Sequence, residues 1–168
     1  MYQSKGLASA AALLLAAASV VGAGPAAADG LATPGATFVP LSSIFRNCDF
    51  VRPHWVSATG FGSASALIGT TGANQVTAQV NLAIAEPNTR YTVRLIQVPR
   101  AGNRTCTAGD PGVAFGDLLT DGNGIGTATV EGPRLQDASG AWVSIDGPPK
   151  PGRVIGEFYT SEVIAPLG

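Results

Sequence analysis

Charged and metal-binding side chains are scarce in this sequence. Charged residues make up 12% of its 168 residues, the formal net charge is −1, and there is one histidine, His54. Because neither sign of charge is bunched, the chain has no basic stripe of the kind that binds nucleic acid. One histidine and two cysteines are also too few donors for a soft-metal site. We therefore expect no cofactor and no nucleic-acid partner.

Long helical patterns are missing as well. The chain shows no long amphipathic period of three to four residues, and its 22 glycines and 12 prolines interrupt it throughout. Such a composition argues against a helical bundle and favours short strands joined by tight turns.

The segment from Met1 to Ala28 has the parts of a secretory signal peptide. Lys5 precedes an apolar run from Leu7 to Val21, and small residues follow. The run is shorter than the ~20 apolar residues that cross a bilayer, so a membrane anchor is the weaker interpretation. We expect cleavage between Ala28 and Asp29, and then one domain over 29–168, without a membrane span, in the secreted fraction or the cell envelope.

Both cysteines, Cys48 and Cys106, lie in the part of the chain predicted to be exported. Oxidising compartments favour disulfide formation, so we predict that the two residues pair. The bridge would close a long loop and restrict the unfolded chain.

The stretch from Gln75 to Ile84 alternates apolar with polar residues, which is the period of a strand with one buried face. Comparable patterns predict further strands at 63–68, 91–98, 113–119, 125–131, 141–145 and 153–160. The extended lead-in over 29–41 would add an edge strand near Phe38 and Val39, and Ser42 to Asn47 could form a short helical turn. About seven or eight antiparallel strands predict an all-β, immunoglobulin-like sandwich.

Two turns are indicated by their residue types. Pro87 and Asn88 suit a turn between the strands 75–84 and 91–98, which we expect to pair with each other. The sequence Asp121-Gly-Asn-Gly124 favours the positive φ angles of a tight hairpin, here between 113–119 and 125–131. Asp117, Asp121 and Asn123 could also offer oxygens to calcium, but the spacing of an EF-hand is not continued, so we prefer the turn.

Several features occur together: the alanine-rich leader, the strand Val76–Ile84 leading through Pro87-Asn-Thr to Tyr91-Thr-Val-Arg-Leu, Cys106, and Thr120-Asp-Gly-Asn-Gly-Ile-Gly. In this combination the chain resembles small exported actinobacterial, mycobacterial-type β-sandwich proteins of unknown function. The resemblance covers the middle half of the exported part. It implies a fold and a compartment, and no reaction.

Asp49, His54 and Ser57 are the three residue types of a hydrolytic triad. They lie in one extended segment, which does not place a nucleophile against a base, and no Gly-x-Ser-x-Gly motif accompanies them. We expect that the protein is not an enzyme, and a hydrolase using His54 remains an alternative.

Arg52, His54 and Trp55, with Phe50 nearby, are the strongest candidates for a recognition site, because arginine and aromatic residues dominate binding hot spots. Residue frequencies favour another interpretation, in which Phe50 and Trp55 cover one end of the core and Arg52 is solvated. We expect a non-catalytic protein that binds an unidentified protein or envelope ligand. The further alternative is a carrier that holds a small apolar ligand between its sheets.

Overall fold

The computed structural model describes residues 35–72 and 74–168. The predicted signal peptide, its cleavage site at Ala28 and Asp29, and the first part of the lead-in lie outside these residues. The part of the chain that is described is all-β and contains no helix. The helical turn predicted from Ser42 to Asn47 is therefore wrong, and an irregular loop lies there instead.

Nine strands occur in the described residues, and every pairing between them is antiparallel. In chain order they are β1 (Thr37–Ser42), β2 (Ser63–Thr71), β3 (Gln75–Ala83), β4 (Arg90–Val98), β5 (Val113–Leu119), β6 (Gly126–Pro133), β7 (Gly140–Asp146), β8 (Phe158–Ser161) and β9 (Ala165–Pro166). The predicted all-β, antiparallel class is confirmed. β8 begins at Phe158 rather than at Arg153.

The strands form one continuous sheet in the order β5-β4-β7-β8-β1-β2-β3-β6, with β9 paired to β7. The sheet is nearly barrel-shaped, because its outermost strands β5 and β6 pack against each other. Two glycines permit this approach: a Cβ at Gly116 would lie 2.6 Å from a Val130 methyl, and one at Gly132 would lie 2.8 Å from the Ala114 Cβ. The structure does not show the two separate sheets of the predicted sandwich, because the short β8–β1 pairing joins the two halves into one sheet.

Strand pairing differs from the prediction in three places. β1 lies between β8 and β2, so it is not an edge strand. β3 pairs with β2 and β6, while β4 pairs with β5 and β7, so β3 and β4 do not form the expected pair. The hairpin between β5 and β6 is also wrong, because their residues pair with β4 and β3 instead.

The reason lies in two connections that cross from one half of the sheet to the other. Residues 84–89 link β3 to β4, and residues 120–125 link β5 to β6. They bond to one another: the Ala85 amide donates to the Gly124 carbonyl at 3.1 Å, and the Asn88 amide donates to the Asp121 carbonyl at 3.0 Å. The turn residues are used, but they turn the chain across the end of the sheet rather than back along it.

The core lies inside the curved sheet. Alternate residues of each strand point inward, as the period of two requires. The largest fully buried side chains facing this interior include Tyr91, Tyr159, Ile68, Leu82 and Ile145. Burial of each such side chain contributes roughly 1.5 to 3 kcal/mol, which makes this interior the main source of stability.

A second apolar cluster lies on the outer face of β4 and β7. It contains Ile96, Trp142 and Cys106, and the ring of Phe50 meets Trp142 edge-on at 5.4 Å between centroids. The predicted disulfide is present: Cys48 is bonded to Cys106, with 5.6 Å between their Cα atoms. It ties the 43–62 loop and the 99–112 loop together over this face.

Candidate functional site

One end of the sheet collects four loops, and we call it the loop end. β1, β3, β5 and β7 finish there, and β2, β4, β6 and β8 start there, as the residue pairing requires. The loops are 43–62, 84–89, 120–125 and 147–157. Loops on a rigid scaffold are where binding residues concentrate.

Large apolar side chains are strongly exposed at the loop end. Phe61 is 96% exposed, Val154 is 93% exposed, Trp55 is 80% exposed and Ile84 is 72% exposed. Ile155 is partly exposed beside Val154. Single exposed apolar residues are ordinary, but several on neighbouring loops indicate a contact surface.

A groove of about 340 Å³ lies between residues 58–61 and 150–157. Phe61 and Ile155 supply apolar walls, while Lys150, Arg153 and Glu157 supply charge. The Thr59 hydroxyl donates to the Gly156 carbonyl at 2.6 Å and so holds the two sides together. The volume is at the lower end of the range for small-molecule sites.

Two tyrosines support this groove from the core. The Tyr159 hydroxyl accepts a hydrogen bond from the Gly62 amide at 2.9 Å, and the Tyr91 hydroxyl donates to the Glu157 carboxylate. Burial raises the pKa of Tyr159 to about 12. Burial, followed by the bond to Glu157, also raises the pKa of Tyr91. Both phenols therefore stay protonated at neutral pH and hold the loops in place.

An exposed ion pair fastens the 147–157 loop to the 84–89 connection. The Lys150 Nζ lies 2.6 Å from a carboxylate oxygen of Glu86. The hydrogen bond and charge of Glu86 raise the pKa of Lys150, so this lysine stays charged. Arg153 adds a second positive charge to the groove, and Glu157 adds a negative one.

The predicted recognition residues Arg52, His54 and Trp55 are all exposed, on the loop that leads into the groove. Phe50 does pack over the outer apolar cluster, as one interpretation expected. Trp55 does not cover the core, since 80% of its surface is accessible. The residues therefore remain available to a partner.

Asp49, His54 and Ser57 are not assembled as a triad. A carboxylate oxygen of Asp49 accepts from the Val51 amide at 3.1 Å. Among the residues that the structure describes, no hydrogen bond joins the His54 side chain to Asp49 or Ser57. The hydrolase alternative gains no support from this geometry.

The Asp121 carboxylate serves the turn. One oxygen accepts from the Asn123 amide at 2.8 Å and from the Ile125 amide at 2.9 Å, and these bonds lower the pKa of Asp121. Within 35–72 and 74–168 no cluster of three or more His, Cys, Asp or Glu residues is placed to hold a metal ion. The turn accounts for these oxygens, as preferred from the sequence.

The carrier alternative would need a cavity between the two sides of the sheet. The groove described above and a second one lie among loops, while a third, of about 330 Å³, is lined partly by residues of β4, β5 and β6. The second groove, of about 420 Å³, is lined by Pro99–Arg100 and other residues of the 99–112 loop, with Leu135. Inward-facing residues such as Val80 and Val93 are fully buried in packed core and line none of these three grooves.

Sequence reasoning missed Phe61, Val154 and Ile155. The strand predicted over 153–160 includes Val154 and Ile155 and would bury one of them, and Phe61 lies just before the strand predicted at 63–68. The available signal was the sequence Pro148–Gly152 just before them, because a chain leaving such a surface loop is often still exposed.

No helix in the described part of the chain is long and apolar enough to cross a membrane. No protein-family model, no curated protein and no solved structure matches this chain significantly.

Proposed function

We propose that this is a secreted or envelope-associated protein that acts by binding through its loop end and does not catalyse a reaction. The observation that carries the proposal is the concentration of exposed apolar side chains, led by Phe61, Val154 and Trp55, on adjoining loops. Exposing them costs solubility, and a partner that covers them would remove that cost.

Export is part of the same proposal. The signal pattern up to Ala28 supports it, and the disulfide between Cys48 and Cys106 is consistent with an oxidising compartment. We also propose that the chain is related to small exported actinobacterial β-sandwich proteins and that its fold is immunoglobulin-like. Loops gathered at one end of paired sheet halves are how immunoglobulin-like domains present their binding residues.

The charged groups of the groove support binding rather than chemistry. Glu157 is held by Tyr91, and Lys150 is held by Glu86. Neither phenol titrates near neutral pH, so neither is suited to act as a general base there. These groups give the groove shape and charge.

A pull-down from cell-envelope fractions tests the proposal. The exported protein is compared with Trp55→Ala and Phe61→Ala, and with Phe38→Ala as a matched control. Phe38 is 63% exposed but lies on β1. We expect wild type and Phe38→Ala to retain the same partners and the two loop variants to lose them. Recovery of one identical set by all four proteins would reject binding through the loop end.

A further inference from the structure

We propose that the partner of the loop end is the surface of a membrane that contains anionic phospholipids. This inference rests on the proposed binding function and names the partner of the same surface. It is carried by the shape of the exposed apolar side chains and by the charge that surrounds them.

The apolar side chains protrude from separate loops. Phe61 lies on one side of the groove, Val154 follows Arg153 on the other, and each is more than nine-tenths exposed. Trp55 is on the same loop as Phe61 and within about 10 Å of Ala58 along the chain. A bilayer accepts such projections without matching their shape, and tryptophan and phenylalanine are favoured at its interface.

The charges near these side chains are complementary to an anionic surface. Arg52, Lys150 and Arg153 lie on the same two loops. Arg52 and Arg153 take part in none of the four ion pairs formed by the described residues. Basic residues beside apolar loops attract anionic headgroups.

The acidic residues of this end are engaged by the protein itself. Glu157 accepts from Tyr91, Glu86 is paired with Lys150, and Asp121 accepts two amides of its own turn. The two loops that carry Phe61 and Val154 hold four basic residues, Arg46, Arg52, Lys150 and Arg153, against the acidic Asp49 and Glu157, a formal surplus of two positive charges. In the groove, which Glu157 also lines, Arg153 has no ion-pair partner among the described residues and can bind a phosphate headgroup, with Phe61 and Ile155 beside the acyl chain.

Vesicle co-sedimentation tests the inference. Protein recovered after export, with its N-terminus defined by mass spectrometry, is mixed with phosphatidylcholine vesicles or with vesicles in which about a third of the lipid is phosphatidylglycerol. We expect sedimentation with the anionic vesicles, at least tenfold weaker for Phe61→Ser/Val154→Ser, and about fivefold weaker for Arg153→Gln. Phe38→Ser and Arg104→Gln are the controls, since both residues are exposed elsewhere, and both should bind as wild type.

Tryptophan fluorescence gives a second, independent readout. The sequence has two tryptophans, and Trp142 is 1% exposed whereas Trp55 is 80% exposed. Anionic vesicles should shift the emission of wild type to shorter wavelength, and Trp55→Phe should abolish that shift. Thermal unfolding of each variant confirms that it is folded.

Equal binding to neutral and anionic vesicles, or no binding to either, overturns the membrane assignment. Loss of binding in Phe38→Ser or Arg104→Gln equal to that of the loop variants overturns it too. If the protein does not bind vesicles but its partners in the pull-down still depend on Trp55 and Phe61, the binding function stands and the partner is a protein. If the pull-down is independent of both residues, the binding function itself fails.

Discussion

Tyr91 and Tyr159 keep their phenol protons at a pH where a solvated tyrosine loses its own. Burial beneath the groove disfavours the phenolate of each. The pKa of Tyr159 rises from 10.0 to about 12, and the pKa of Tyr91 is raised as well. A pKa raised by folding contributes stability that is complete below pH 10.0 and is lost as the pH passes the folded value of about 12.

This difference can be measured optically. The proposed cleavage after Ala28 would remove Tyr2 and leave Tyr91 and Tyr159 of the three tyrosines in the sequence. We expect no phenolate absorbance from the folded protein at about pH 10 to 11, and then its appearance together with loss of native circular dichroism. A smooth phenolate titration centred near pH 10 in folded protein would contradict the burial of both hydroxyls.

At the scale of elements, the two crossing connections decide the fold. Their common fastening point is Thr120, which is 2% exposed. Its hydroxyl donates to the Glu86 carbonyl at 2.6 Å and accepts from the Thr89 amide at 2.9 Å. One side chain therefore satisfies two backbone groups of the opposite connection.

Thr120→Val tests that role, because valine keeps the volume and removes the hydroxyl. Two partly buried backbone groups lose a partner, so we expect the free energy of unfolding to fall by about 1 to 2 kcal/mol. Thr129→Val, at an exposed position of β6, should change it by less than about 0.5 kcal/mol. Urea denaturation measures both, and equal effects would mean that the fastening is unimportant.

The approach of β5 to β6 makes a second prediction at this scale. A methyl group at Gly116 would lie 2.6 Å from a methyl of Val130, which is itself buried. Gly116→Ala should therefore cost about 1 to 3 kcal/mol of unfolding free energy, as overpacking does.

Gly122→Ala is the control for this substitution. A Cβ at Gly122 meets nothing within 4 Å. Denaturation midpoints at an unchanged slope measure the comparison. If Gly116→Ala were as stable as wild type, β5 and β6 would be able to move apart at little cost.

The strands were predictable from sequence because their side-chain period is local. Gln75 to Ile84 shows which side chains face the core, and β3 has nearly those bounds. Pairing was not predictable, because the same pattern fits any neighbour that buries the same face. The turn residues at 87–88 and 121–124 were identified correctly as turns, but a turn signal does not state whether the chain returns or crosses.

The candidate site was harder to predict for a related reason. The exposure of Arg52 and His54 is unsurprising for charged and polar residues. An apolar residue such as Phe61 or Val154 is assigned to the core by default, since most such residues are buried. Only the tertiary arrangement shows that they are left outside.

At the scale of the whole molecule, the disulfide joins two long loops across 58 residues. Cys48→Ala/Cys106→Ala should lower the free energy of unfolding by roughly 4 kcal/mol, chiefly by freeing the unfolded chain. Urea denaturation measures the loss, and reduced wild type should behave like the double variant. If the free energy of unfolding were unchanged in both the double variant and reduced wild type, the outer apolar cluster around Trp142 would hold the loops without the disulfide.

The contact between β5 and β6 also bears on self-association. Fibril growth and strand exchange start from backbone amides and carbonyls that lack a neighbour along a sheet margin. Here the two outermost strands pack closely against one another, and Gly116 and Gly132 allow this approach. An incoming chain thus finds little template, so concentrated solutions of the folded protein should remain free of amyloid.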